Sequence, residues 1–168
     1  MPNPSYNIED VYSAIKTISG YFEEEKGNNG SKTQVTNVAI HNYCHYESNS
    51  GDGNCNNDYC KMASSGVIHL INNLKDKNVL DYDKLAEYGI LWLIYKLKIK
   101  ENNNFTNLNE FYTSYIVNNN SYNEKINGDN TTTYKDIIDK KKDLMNININ
   151  EIFKLEAPFN ILYFLYHE

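Results

Sequence analysis

The stretch LAEYGILWLIYKL, from Leu85 to Leu97, decides the fold of this chain. It is too apolar for a surface helix, which keeps a polar face toward water. It is also too short for a membrane span, because the unbroken run from Ile90 to Tyr95 sits between Glu87 and Lys96, well short of the roughly 20 apolar residues a crossing needs. The stretch therefore reads as a buried central helix. It carries the one tryptophan, Trp92, and starts behind Asp81 or Asp83, either of which suits a helix N-cap by accepting backbone N–H bonds.

Working outward, 168 residues suffice for one hydrophobic core, since domains run typically to about 100–150 residues. Upstream, Ile8, Val11, Tyr12, Ile15, Ile18 and Phe22 follow helical spacing, with Ser5 or Asn7 as caps and Gly20 near the end. Residues 23–37, rich in Glu, Asn, Gly and Lys up to Gln34, read as a loop. A short helix carrying Val38 and Tyr43 follows within 35–46, and then a Gly-, Asn- and Asp-rich loop over 48–58. Helices are expected over 58–75, with Met62, Val67, Ile68, Ile71 and Leu74 on the apolar stripe, and over 83–99.

Past Asn102, Asn103 and Asn104, the residues Leu108, Phe111, Tyr112, Tyr115 and Ile116 mark another helix, capped by Thr106 or Asn107. Residues 118–131 read as a second long loop. Thr132 or Thr133 then opens a helix with Tyr134, Ile137, Ile138, Leu144 and Met145 inward and Lys140, Lys141 and Lys142 on a solvated face. A last helix from Asn150 to Tyr166 is interrupted by Pro158, which lacks a donor and clashes with the preceding turn. No segment alternates with β-branched enrichment. The expected fold is all-α, a single helical domain of six or seven helices packed around the central apolar helix, with long Asn-rich loops.

Composition excludes whole classes of function. The net charge is −6, and all 16 basic residues are lysine, so the bidentate arginine fork that reads phosphate and guanine is missing. Nucleic-acid binding is disfavoured. The 28 asparagines point to an AT-rich coding genome. The N-terminus MPNPSYNIED lacks the basic and apolar regions of a signal peptide, and the end at Tyr163–Glu168 reads as a helix cut before a downstream segment.

Cys44, Cys55 and Cys60, with His41 and His45 nearby, are the first candidate constellation for chemistry. Zinc wants close ligand pairs in a tetrahedral set, and the spacing Cys-x10-Cys-x4-Cys does not supply them. A disulfide from Cys44 to Cys55 across the Gly-rich loop is favoured, worth roughly 2–3 kcal/mol in an oxidising compartment, with Cys44 to Cys60 the alternative. Nucleophilic catalysis needs a base near Ser or Cys, itself oriented by a third group. The sequence shows no such assembly; Ser64, Ser65 and Gly66 fall within a helical stripe and read as close helix packing. Phosphate-loop, dinucleotide, zinc-protease and EF-hand motifs are all missing. No catalytic, cofactor or metal residue is assigned. Asn29, Asn104, Asn119 and Asn130 begin Asn-x-Ser/Thr sequons in expected loops, near the number chance supplies in so Asn-rich a chain. Tyr12, Tyr95 and Tyr112 read as core, whereas Tyr21, Tyr46 and Tyr122, beside loops, are candidates for an exposed aromatic patch.

The wording of these segments resembles the Plasmodium interspersed repeat (PIR) family of malaria-parasite variant proteins, in its rodent-malaria branch. The resemblance rests on PSYNIEDVYSAIKTISGYF at Pro4 to Phe22, HNYCHY and GNCNNDYCKMASSGVIHL between His41 and Leu70, and LDYDKLAEYGILWLIYKL at Leu80 to Leu97; it continues through LNEFYTSYI and TYKDIIDKKKDLM to FNILYFLYHE. It covers essentially the whole chain. It implies a helical ectodomain over 1–168, displayed at the infected red cell or exported into it, with the transmembrane helix and inner tail of full-length members outside this chain. It also implies antigenic variation and chronic infection, and with no catalytic motif in the residues the expectation is a non-enzymatic surface antigen and interaction module that needs no cofactor. The partner is an unknown host or parasite protein, and contact with membrane runs only through a segment this chain lacks. Cys44 and Cys55 match the family's cysteine pattern; Cys60 matches it less well. The runner-up is an intracellular or vacuolar structural component of the infected cell.

Overall fold

A computed structural model describes residues 8–26, 32–46, 54–56, 58–76, 81–99, 106–126 and 128–148. Helix α1 (Ile8–Ser19) runs into a hairpin of β1 (Phe22–Lys26) and β2 (Lys32–Thr36), followed by a 3-10 helix (Val38–Tyr43). The long helices α2 (Tyr59–Asp76) and α3 (Tyr82–Ile99) follow. Then come α4 (Asn109–Phe111), continuing as a π-helical segment (Tyr112–Val117), a 3-10 turn (Asn120–Asn123), α5 (Tyr134–Asp139) and a closing 3-10 turn (Lys142–Asn146).

The central-helix reading holds. Every residue of α3 from Leu85 to Ile94 is buried, and α2, with Met62, Val67, Ile68, Ile71 and Leu74 inward, packs along it. The polar residues bounding the apolar run are buried as well. Glu87 lies 3.5 Å from Lys84 Nζ, while Lys96 turns its ammonium onto the carbonyls of Ser19 (3.2 Å) and Phe22 (2.9 Å) and over the Phe22 ring at 4.2 Å. A cation at the C-terminal carbonyl of α1 also meets the negative end of that helix. No helix among the described residues is long and apolar enough to cross a membrane.

Small residues let α2 and α3 approach. At Gly66 an added Cβ would collide with the six-membered ring of Trp92, so the Ser64-Ser65-Gly66 stretch is a packing element, as its helical stripe suggests. The caps come from the expected kinds of residue. Asp81 Oδ1 accepts from Lys84 N at 2.9 Å, and Asp58 Oδ1 accepts from Lys61 N at 3.2 Å. Thr133 and Asp136 form a reciprocal capping box at α5, both bonds 3.0 Å, and those bonds hold the Asp136 carboxyl below its usual range.

Three sequence readings need correcting. Most of the 23–37 loop is an antiparallel hairpin, in register from Phe22↔Thr36 to Lys26↔Lys32. Three consecutive glutamates hide a strand from any periodicity test, and pairing with β2 supplies what propensity does not. The segment 118–131 is no free loop: Asn119, Ser121, Tyr122 and Ile126 are buried, and backbone bridges join Tyr46 to Asn119 and Lys125 to Thr133. The helix read across 132–145 ends at Asp139 and restarts as a 3-10 turn at Lys142, which leaves Met145 buried and Lys140 and Lys142 exposed. The short helix expected within 35–46 is the 3-10 helix, and Val38 on it is 80% exposed. The caps Ser5 and Asn7 and the final helix with Pro158 lie outside the described residues.

Candidate functional site

The chemistry-bearing side chains gather where the 3-10 helix, the start of α2 and the 119–122 turn meet. Cys44 and Cys55 form a disulfide with their Cα atoms 5.2 Å apart, and both residues are fully buried. His41 Nδ1 accepts the backbone N–H of Cys55 at 3.0 Å, so the ring is oriented by the main chain at the disulfide itself. With both sulfurs joined, the zinc alternative loses two thiolates. Among the described residues no three His, Cys, Asp or Glu side chains are grouped to hold a metal ion. Cys60 stands outside the disulfide on the first turn of α2, half-buried beside Tyr115.

Asn119 is the hub of this region. Its Oδ1 accepts from His45 N (3.0 Å) and Ser121 N (3.1 Å), and its Nδ2 donates to Tyr43 O (2.7 Å) and Ser64 Oγ (3.3 Å). Around it Ser64 Oγ donates to Tyr115 O at 2.7 Å, Tyr46 Oη donates to the same carbonyl at 2.6 Å, and Tyr122 Oη donates to Ser64 O at 2.6 Å. The Tyr115 carbonyl, near the end of the π-helical segment, thus receives the donors that a helix C-terminus otherwise lacks. Burial pushes the Tyr46 and Tyr122 hydroxyls far above the ordinary phenol range and the Tyr115 hydroxyl up to about 12, so all three stay neutral, and Tyr46 and Tyr122 serve as donors.

One pairing escaped the sequence: His45 Nδ1 and Ser121 Oγ share a short hydrogen bond across 76 positions. In kind it is a nucleophile and its base. Ser121 is fully buried, however, so the pair lies within the packed interior. Nothing local in the sequence announces such a pair, because its two partners meet only through the bridge between Tyr46 and Asn119.

A second aromatic and imidazole group ties the 3-10 helix to α2. His69 Nε2 bonds Ala39 O at 2.7 Å, and the ring packs edge-to-face with Tyr21 (5.4 Å) and Tyr43 (4.7 Å). Asn72 bridges Tyr43 Oη (3.1 Å) and Tyr134 Oη (3.0 Å). Burial lowers the His69 pKa, against the smaller opposing pull of the Ala39 carbonyl, so the ring is the neutral Nε2–H tautomer.

The proposed exposed tyrosine patch does not assemble: Tyr46 and Tyr122 are buried and Tyr21 is half-buried against His69. Tyr112, by contrast, is core as read, its hydroxyl on Asp139. The Asn119 sequon is closed in the folded protein, since its amide nitrogen is engaged and solvent-free. Asn130 is exposed. Asn29 and Asn104 fall outside the described residues. Exposed on this side are Asn37, Val38 and Asn42 at the 3-10 helix, then Asn54 and Asn56 beside the disulfide.

A family model described as Plasmodium variant antigen protein Cir/Yir/Bir matches residues 12–168. No curated protein and no solved structure matches the chain.

Proposed function

The chain belongs to the Plasmodium Cir/Yir/Bir family of variant antigens, and from that membership we propose that it is a non-enzymatic, host-facing domain, displayed at the infected red cell or exported into it. The observation that carries the reading is the division of labour between core and surface. Of the side chains capable of chemistry, Ser64, Ser121, Cys44, Cys55 and Tyr122 are fully buried and bonded to one another or to backbone, while His41, His45 and Cys60 are half-buried. The surface near them is Asn-rich main chain and short polar turns, which tolerate substitution without disturbing a packed interior. A buried disulfide also suits an oxidising compartment rather than a reducing cytosol. Recognition of an unknown host protein falls to the hairpin, the exposed end of the 3-10 helix at Asn37 and Val38, and the Asn54–Asn56 turn.

Antibody labelling of intact infected red cells, before and after permeabilisation, tests display. Alkylation and mass spectrometry of native material tests the compartment. Surface label together with a Cys44–Cys55 linkage is expected. Label confined to permeabilised cells, with all three cysteines alkylated, would instead establish the intracellular structural role.

A further inference from the structure

The β1–β2 hairpin is a two-stranded sheet, and among the described residues neither strand pairs with any other element. Such an edge presents unpaired N–H and C=O groups, a ready template for another strand. Which groups point outward follows from one hydrogen bond. Asn37 N donates to Tyr21 O at 2.7 Å, one step beyond the Phe22↔Thr36 pair. Hydrogen-bonded and non-hydrogen-bonded pairs alternate along an antiparallel ladder. Hence Glu23↔Val35 and Glu25↔Thr33 are the hydrogen-bonded pairs, and the backbone groups of Lys32, Gln34 and Thr36 on β2, like those of Glu24 on β1, face away from the partner strand.

We propose that the outer edge of β2 is a self-association surface, on which a second copy of this chain adds its own β2 antiparallel about a two-fold axis at Gln34. The register closes without conflict. Gln34 meets Gln34 of the other copy and Lys32 meets Thr36, each pair exchanging both N–H···O bonds through the groups already turned outward. Thr33 lies opposite Val35 in the intervening positions. No like charges face each other, and Thr and Val are strong strand formers. The result is a four-stranded sheet with the same patch on both copies, the isologous geometry of most homodimers.

The other edge is unsuited to the same operation. In β1, Phe-Glu-Glu-Glu-Lys, a two-fold at Glu24 sets Glu24 against Glu24 and Glu23 against Glu25, and like charges directly opposite are destabilising. Pairing β1 of one copy with β2 of the next relieves that repulsion but never closes, and it grows into a filament. The charge pattern of the two strands therefore selects the second copy's β2 as the occupant. An interface of this size is weak, so the dimer is expected to populate only at the upper end of a concentration series. The inference concerns the isolated chain and does not depend on display.

Sedimentation equilibrium of the 168-residue chain over a wide concentration range reads the stoichiometry. A reversible monomer–dimer equilibrium is expected. Gln34→Pro removes an N–H that β1 does not use, so it leaves the hairpin ladder whole and weakens the dimer at least tenfold. Glu24→Pro makes the equivalent change on the other edge and leaves dimerisation unchanged. Gln34→Glu is the back-up should the proline variant fail to fold by circular dichroism: it places two carboxylates on the axis, weakens the dimer at neutral pH and recovers at high salt. A chain that stays monomeric throughout, assembly that continues past the dimer, or loss on Glu24→Pro with retention in the Gln34 variants overturns the proposal.

Discussion

Gly66→Ala sets two known effects against each other, and the structure decides which wins. In an exposed helix the change is stabilising by about 1 kcal/mol, because alanine gives up less backbone entropy. At Gly66 the new Cβ falls inside the contact distance of Trp92 Cη2, with Cζ3 at 3.0 Å and Cζ2 at 3.2 Å. The indole cannot easily retreat. Its Nε1 donates to Ser19 Oγ at 2.8 Å, its ring meets Phe22 edge-to-face at 6.1 Å, and Trp92 is fully buried. Overpacking of this kind costs about 1–3 kcal/mol, and a ring held on two sides belongs at the upper end. The net expectation is a loss of about 1–2 kcal/mol, or a Tm lower by about 3–8 °C for a chain of this size. Gly89→Ala is the matched control: its Cβ meets Val67 Cγ1 at 3.4 Å and Ile71 Cγ1 at 3.8 Å, ordinary contacts, so the helix-propensity gain survives there. Urea and thermal melts followed by circular dichroism measure both variants. Combining Gly66→Ala with Trp92→Phe should shrink the penalty, since the indole's far edge is then gone. A Gly66→Ala protein as stable as its parent would refute the packing argument.

Other expectations follow from the buried polar region. Asn119→Ala removes four hydrogen bonds at once, two accepted by Oδ1 and two donated by Nδ2, and leaves the buried Ser121 N–H without its bond; at roughly 1–3 kcal/mol for an orphaned buried group, the loss in a urea titration should exceed about 3 kcal/mol. Removing the Cys44–Cys55 bond, as the paired serine variant, frees a ring of sequence separation 11 and should cost about 3 kcal/mol on the loop-entropy account, read as a lower urea midpoint than that of the oxidised parent. Burial holds the His69 imidazole below its unfolded value of about 6.5, so the unfolded chain takes up its proton first. The stabilisation is fully present above that pH and is lost as the pH falls below it. The urea midpoint should therefore drop on acidification from pH 7 toward 5, and His69→Gln should flatten that part of the slope.

Much of the architecture is legible in the residues. The apolar block around Trp92 names the central helix whatever its partners, because burying it on every side is the one arrangement open to a helix too short to span a membrane. Asp81 and Thr133 mark helix starts through the chemistry of their side chains, and the spacing of Met62, Val67, Ile71 and Leu74 sets the inner face of α2. The residues favour Cys44–Cys55 over Cys44–Cys60 without deciding between them, and the structure holds the Cys44–Cys55 disulfide.

The hairpin and the polar hub were not legible, for related reasons. Strand pairing between Phe22–Lys26 and Lys32–Thr36 depends on a register between two segments, and neither segment alternates strongly enough to declare itself. Among 28 asparagines, Asn119 looks like its solvated neighbours Asn118 and Asn120; its burial comes from Tyr43, His45 and Ser64, as many as 76 positions away. Tyr46 and Tyr122 were misread in the same way, their surroundings polar in sequence and dense in space. The sequence by itself determined the long helices α2 and α3, the caps Asp81 and Thr133 and the central place of α3, because helical periodicity and capping are local properties of the chain. Which polar residues are core, which sequon is closed and which two segments pair as a hairpin were decided by tertiary structure alone, because burial and pairing belong to the neighbours that folding brings together.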